Sequence, residues 1–123
     1  MSHLSISDFW AFDYWCIKIR SEAFWNTFKD IVNKLGNKNV YITIDLDVLD
    51  PSIFPGTGTP EPGGITYREF QDVFNTLKNS NLNIVGCDIV ELSPDYDNTN
   101  VSTVAACKIL RELSLVAGHN LKK

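Results

Sequence analysis

Two rhythms of apolar and polar residues run along this chain. Between Glu22 and Leu35, apolar side chains at Phe24, Trp25, Phe28, Ile31, Val32 and Leu35 recur every three or four residues, the stripe of a one-faced helix. Ser21 stands at the N-cap position, and Gly36 stands where a chain leaves a helix. A second stripe, Tyr67, Phe70, Val73, Phe74 and Leu77, follows Thr66. Thr66 and Glu69 have the S/T-x-x-E form of a capping box, and Ile65 and Phe70 are spaced for a hydrophobic staple. A third helix is expected from about Val101 to Ala117, with Gly118 as its stop. The other rhythm is nearly unbroken apolar, β-branched sequence. Val40 to Val48 and Asn83 to Val90 read as buried strands of a parallel sheet, and Tyr14 to Ile19 as a further short strand. Strands alternating with helices imply βαβ crossovers, so the fold class is α/β, a parallel sheet with helices on its faces. So few strands leave a sheet edge that more strands should cover.

The connections are short except one. Asp50-Pro51-Ser52-Ile53-Phe54-Pro55-Gly56-Thr57-Gly58-Thr59-Pro60-Glu61-Pro62-Gly63-Gly64 is too rich in proline and glycine for a helix or central strand. A loop of this length in a compact domain is usually functional or disordered.

Length and composition narrow the classes. The chain has 123 residues, enough for one compact domain, and 44% apolar with 21% charged residues fits a globular protein. Eleven basic against fifteen acidic residues give a net charge of −4, with no basic cluster, which argues against nucleic-acid and anionic-membrane partners. No apolar run is long enough to span a bilayer, and the N-terminus lacks the pattern of a signal peptide. Cys16, Cys87 and Cys107, an odd set without C-x-x-C spacing, read as reduced thiols of a cytoplasmic protein. His3 and His119 have no partner at ligand spacing and read as surface histidines.

The acidic residues carry the candidate chemistry. Asp45 and Asp47 lie two apart near the end of an apolar strand, where period two puts both on one face. Two carboxylates that close repel unless one is protonated or a cation lies between them, and carboxylate oxygens bind hard or borderline divalent ions directly. Open α/β sheets also place ligands at this end of their strands. The alternative is that both acids point into solvent past the strand end, and spacing does not choose between the two. Asp50, before Pro51, reads first as a turn starter; it is also placed to steady the loop by hydrogen bonds near the other two carboxylates. Glu91 ends the second strand, at the same sheet end. A carboxylate there suits a planar guanidinium, which offers two parallel hydrogen bonds, and the plain alternative is a surface glutamate. Asp88, mid-strand, reads as a buried structural carboxylate paired with a backbone or basic group. Thr57, Thr59 and the loop glycines can bring hydroxyl and backbone groups close to a ligand, although turn geometry explains most of them.

Thr43-Ile44-Asp45-Leu46-Asp47-Val48-Leu49-Asp50-Pro51 resembles the ureohydrolase family of arginases and agmatinases. The likeness continues through Pro55 to Gly64 and resumes at Gly86-Cys87-Asp88-Ile89-Val90-Glu91-Leu92-Ser93-Pro94. It covers about Asn39 to Glu112, and the Pro-Gly-Thr-Gly-Thr-Pro-Glu-Pro-Gly-Gly loop is most similar to agmatinases. The resemblance implies a three-layer α/β/α fold with a parallel sheet (arginase-like), of which this chain is the C-terminal part, and a site for two manganese ions. It implies that Asp45 bridges both metals and Asp47 binds one. Glu91 would face the substrate guanidinium, and Thr59 would lie near the substrate pocket. The implied reaction is hydrolysis of a guanidino small molecule, agmatine, to urea and an amine by water activated between the metals.

The family's remaining ligands come from a Gly-Gly-Asp-His segment and an Asp-Ala-His-x-Asp segment, and neither occurs here. The family's catalytic histidine is also absent, so no catalytic residue is assigned. The expectation is a chain inactive alone: residues 1–38 a divergent segment with one amphipathic helix, 39–118 the C-terminal part of a ureohydrolase domain, and 119–123 a tail. Its expected protein partners are the missing N-terminal half or further copies of itself. The main rival is a non-catalytic fragment kept for partner binding or oligomer assembly, since an uncovered sheet edge invites one. A haloacid-dehalogenase-type phosphatase would use Asp45-Leu46-Asp47 as nucleophile and acid, but the Pro/Gly loop and the Glu91 segment do not suit its other motifs. A calcium loop fails because Leu49 and Asp50 stand where a polar ligand and the turn glycine belong.

Overall fold

The computed structural model describes residues 2–5 and 22–121. Strand β1 is Ser2–Ser5. Helix α1 is Glu22–Leu35, β2 is Asn39–Asp45, α2 is Tyr67–Lys78, β3 is Asn83–Val90 and α3 is Val101–Asn120. The strands form one parallel sheet in the order β1-β2-β3. The strand expected at Tyr14 to Ile19, Cys16 within it, and the side chain of His3 lie outside what is described. No helix among the described residues is long and apolar enough to cross a membrane.

The helices stop and start where local chemistry directs. Gly36 takes the left-handed conformation (φ 59°) and donates its N–H to Val32 and Asn33, closing α1. Thr66 and Glu69 make the reciprocal capping box at the start of α2, with Ile65 and Phe70 both buried beside it. Helix α3 runs past Gly118, which does not act as a stop. Its last turn is tied down instead by Asn120, a buried side chain whose Nδ2 donates to the Leu77 carbonyl at 3.0 Å. That bond joins the C-terminal ends of α2 and α3, and it outweighs the modest helix-weakening effect of one glycine.

Burial in β2 alternates. Val40, Ile42 and Ile44 are at most 1% exposed, whereas Tyr41, Thr43 and Asp45 are half-buried. The covered face meets all three helices in one core, through Phe28 and Val32 of α1, Phe70, Val73, Phe74 and Leu77 of α2, and Ala106, Ile109, Leu113 and Val116 of α3. The helices therefore form one layer, and a second helical layer is not among the described residues. On the other face β3 sets Asp88 beside Thr43 and Val90 beside Asp45. Between Val40 and Tyr41 the register jumps from Ile84 to Gly86, so Val85 bulges out. Tyr41 lies across Gly86, where a Cβ would come within 2.7 Å of its ring, and its hydroxyl donates to Asp88 Oδ2 at 2.9 Å. Asp88 is thus half-buried and paired with a phenol across the strands, rather than with a backbone or basic group.

Strand β2 ends at Asp45, three residues before the expected end at Val48. Leu46–Val48 form a single 3-10 turn. The cause is local: Asp45 Oδ1 accepts the Asp47 N–H at 3.2 Å, and this side-chain bond replaces the sheet ladder. Leu46, Val48 and Leu49 are all buried, a pattern no period-two strand gives.

After the turn the chain returns to close its own loop. Leu49 and Ile65 form a parallel bridge, with Ile65 N–H donating to Val48 O and Asp50 N–H to Ile65 O. A Cβ on Gly64 would lie 2.5 Å from the Asp50 amide nitrogen, inside a backbone contact that cannot yield. Replacing Gly64 with alanine is expected to destabilise the chain by roughly 1–3 kcal/mol, read from chemical denaturation. Unchanged stability would show that the loop closure is not a tight contact.

Candidate active site

Asp45 and Asp47 come together at the C-terminal tip of β2, though not by sharing a strand face. The 3-10 turn folds Asp47 back so that its amide meets the Asp45 carboxylate. Burial, then contact with Asp47, then the charge of Glu91, push the Asp45 carboxyl up to about 6. Glu91 therefore lies within electrostatic reach of the pair. No ion pair to either aspartate occurs among the described residues. Nor do those residues contain a group of three His, Cys, Asp or Glu side chains able to hold a metal ion.

Glu91 is exposed and its backbone is left-handed (φ 70°). A non-glycine residue there carries a strain of order 1 kcal/mol, tolerated where surroundings or function require the side chain. Nothing in the sequence pattern marks this conformation.

The long loop is ordered by three anchors. Asp50 holds both ends: Oδ1 accepts the Ser52 N–H, opening the turn, and Oδ2 accepts the Gly63 N–H, closing the far end, each at 2.9 Å. Midway, Gly56 donates its N–H to Ser102 Oγ at 2.7 Å and accepts the Ser93 N–H at 2.8 Å. A Cβ on Gly56 would lie 2.8 Å from that of Ser102, so the loop lies flat on the start of α3. Beyond this anchor, Thr59 Oγ1 donates to Asp47 Oδ2 at 2.8 Å. Thr57 is buried, its hydroxyl without a hydrogen-bond partner among the described residues. His119 is exposed at the far end of α3, remote in sequence from the acids.

Sequence inspection did not single out Asp97 or Ser102. Both are buried. Asp97 accepts hydrogen bonds from the Thr99 hydroxyl and amide and from the Ser102 amide, and these hold its carboxyl well below the usual carboxylate range. The Asp-x-Thr-x-x-Ser spacing before the final helix was the available signal.

Two outcomes are expected. A carboxylate with a lowered folded-state pKa contributes stability that is complete above its unfolded pKa, about 4, and is lost as pH falls below that. Asp97→Asn should therefore lower the denaturation midpoint at pH 7 and converge with the wild type as pH drops toward 2; parallel profiles would contradict this. Glu91→Gly relieves the left-handed strain, so its stability should match or exceed the wild type by up to about 1 kcal/mol, while Glu91→Ala should show no gain. A clear loss in the glycine variant would mean the glutamate side chain holds the fold.

Known proteins resemble this chain in sequence and fold. Residues 11–116 match the model of the Arginase family, reaching further toward the N-terminus than the motifs at Asn39 onward. Bacillus cereus agmatinase is 51% identical over 87 residues, covering 71% of this chain and 30% of that protein. A Clostridium difficile candidate agmatinase of known structure superposes with a TM-score of 0.72 at 74% identity, covering 75% of this chain and 33% of that one. The agmatine ureohydrolase of Thermoplasma volcanium gives a TM-score of 0.68 at 30% identity, covering 87% and 34%. The chain spans about a third of the length of these relatives. With its parallel α/β sheet, its three motifs in order and these matches, the chain belongs to the arginase family.

Proposed function

We propose that this chain carries one side of an agmatinase-type active site, which hydrolyses the guanidinium of agmatine to urea and putrescine once the rest of an arginase-family domain is present. The observation that supports this most is the pair Asp45 and Asp47, gathered at a strand tip beside Glu91 with no basic side chain paired to either aspartate among the described residues. An all-oxygen, anionic donor pair fits a hard or borderline divalent ion such as manganese. Asp45 would bridge two ions and Asp47 hold one. The ions, when bound, make water acidic enough to act as a nucleophile at neutral pH.

The chain's other residues bind and orient. Glu91 accepts the guanidinium N–H groups, its planar carboxylate matching two parallel donors. Asp50 and the Gly56 anchor keep the loop closed over the strand tip. The Thr59 donor is used on Asp47, so toward a cationic substrate its hydroxyl offers acceptor lone pairs. Two aspartates cannot fix two ions, so the chain alone is inactive. Residues 39–118 contain these groups, in a protein of the cytoplasm and of polyamine synthesis.

One observation favours a second reading. The outer edge of β3 has no strand partner among the described residues, and Val85 and Val90 of the same strand are about 40% exposed. That edge suits a non-catalytic piece that binds a polypeptide partner or another copy.

A chimera separates the two. Residues 22–121 replace the matched third of the Clostridium difficile protein, and urea release from agmatine is measured with manganese. Activity in the chimera, lost by at least about a thousandfold in its Asp45→Ala form, is the expected result. A folded chimera that releases no urea, or an Asp45→Ala form that still does, would overturn the catalytic reading and leave the binding role.

A further inference from the structure

We infer that Thr59 is a positioning residue for Asp47: its hydroxyl fixes the orientation of that carboxylate for a divalent cation. The inference rests on the metal reading given above and goes beyond it, because it concerns what holds a ligand rather than which residues are ligands.

Asp47 sits in a one-turn 3-10 segment beside another carboxylate. Like charges favour swinging its side chain outward, and a half-buried aspartate within a short turn has the rotational freedom to do so. The 2.8 Å bond from Thr59 Oγ1 to Asp47 Oδ2 opposes that swing. It occupies one acceptor position on Oδ2, and a carboxylate has further acceptor positions for a cation. Thr59 is exposed, so this bond adds little to fold stability. Its effect is on orientation.

The loop supports such a role because Thr59 is not on a free tip. Three residues before it, Gly56 is bonded to Ser102 and Ser93, and four residues after it Gly63 is bonded to Asp50. Ser102 is itself fixed by Asp97. The hydroxyl is therefore delivered from a closed strap anchored on α3, at a position the aspartate's own turn does not determine. Hydrogen-bond partners of metal-binding side chains typically contribute tenfold or more to metal affinity.

The test uses this chain itself, isotope-labelled, with manganese(II) alone as probe. Paramagnetic broadening of the Asp45 and Asp47 amide resonances is followed against manganese concentration in the wild type, Thr59→Ser, Thr59→Val and Thr59→Ala. Thr59→Ser keeps the donor and should stay within about twofold of the wild type. Thr59→Val and Thr59→Ala should each need about tenfold more manganese for half-broadening, with an unchanged thermal midpoint. Two hydroxyl-free variants of different bulk distinguish loss of the donor from a packing fault. Broadening at the two aspartates that is equally strong in all four proteins would overturn the positioning role and leave the metal reading standing. No selective broadening there in the wild type would remove the metal reading and this inference together.

Discussion

Repulsion between two carboxylates at the tip of β2 is the constraint around which this region is arranged. The chain brings Asp45 and Asp47 together by ending the strand and turning, with the Asp45 side chain accepting the Asp47 amide. The turn lets Leu46, Val48 and Leu49 all enter the core. The burial that stabilises these apolar groups also desolvates Asp45, and its carboxyl responds by rising to about 6. A site that concentrates negative charge at the edge of a hydrophobic core is unfavourable in isolation. A divalent ion would reverse the sign of that interaction.

The loop that follows is held by contacts distant in sequence. Asp50 spans it end to end, Ser102 holds its middle across the start of α3, and Thr59 returns to the aspartate pair. Glycine is required at Gly56 and Gly64 by close approach rather than by unusual dihedrals, since each faces an atom under 3 Å from where a Cβ would stand. Core packing of α3 thereby reaches the candidate site through Asp97 and Ser102, which are buried and contact neither aspartate in any bond described. Glu91, left-handed and exposed, is the opposite case: a side chain placed at a conformational cost, at the end of a strand that needs none.

Much of the fold was legible because its causes are local. Thr66 with Glu69, the apolar stripes of α1 and α2, Gly36 as a stop and the run Asn83 to Val90 all coincide with the elements found. Where expectation and structure part, a longer-range or side-chain bond had outcompeted the local signal. Gly118 lies inside α3 because Asn120 bonds to Leu77, forty-three residues away. Asp47 leaves the strand because a side chain, invisible to period counting, captures its amide. The acids were recognisable from their spacing and motif, yet the pairing of Thr59 with Asp47 and of Tyr41 with Asp88 depends on tertiary closure and sheet register that no linear pattern encodes.

The central claim is that the clustered acids form a cation site. The most direct measurement is the denaturant midpoint of this chain at pH 7.5, with and without millimolar manganese, for the wild type and Asp45→Asn. The account predicts that manganese raises the midpoint of the wild type, by mass action on the folded state, and leaves Asp45→Asn unmoved. Equal response of the two proteins, or none in either, would contradict it.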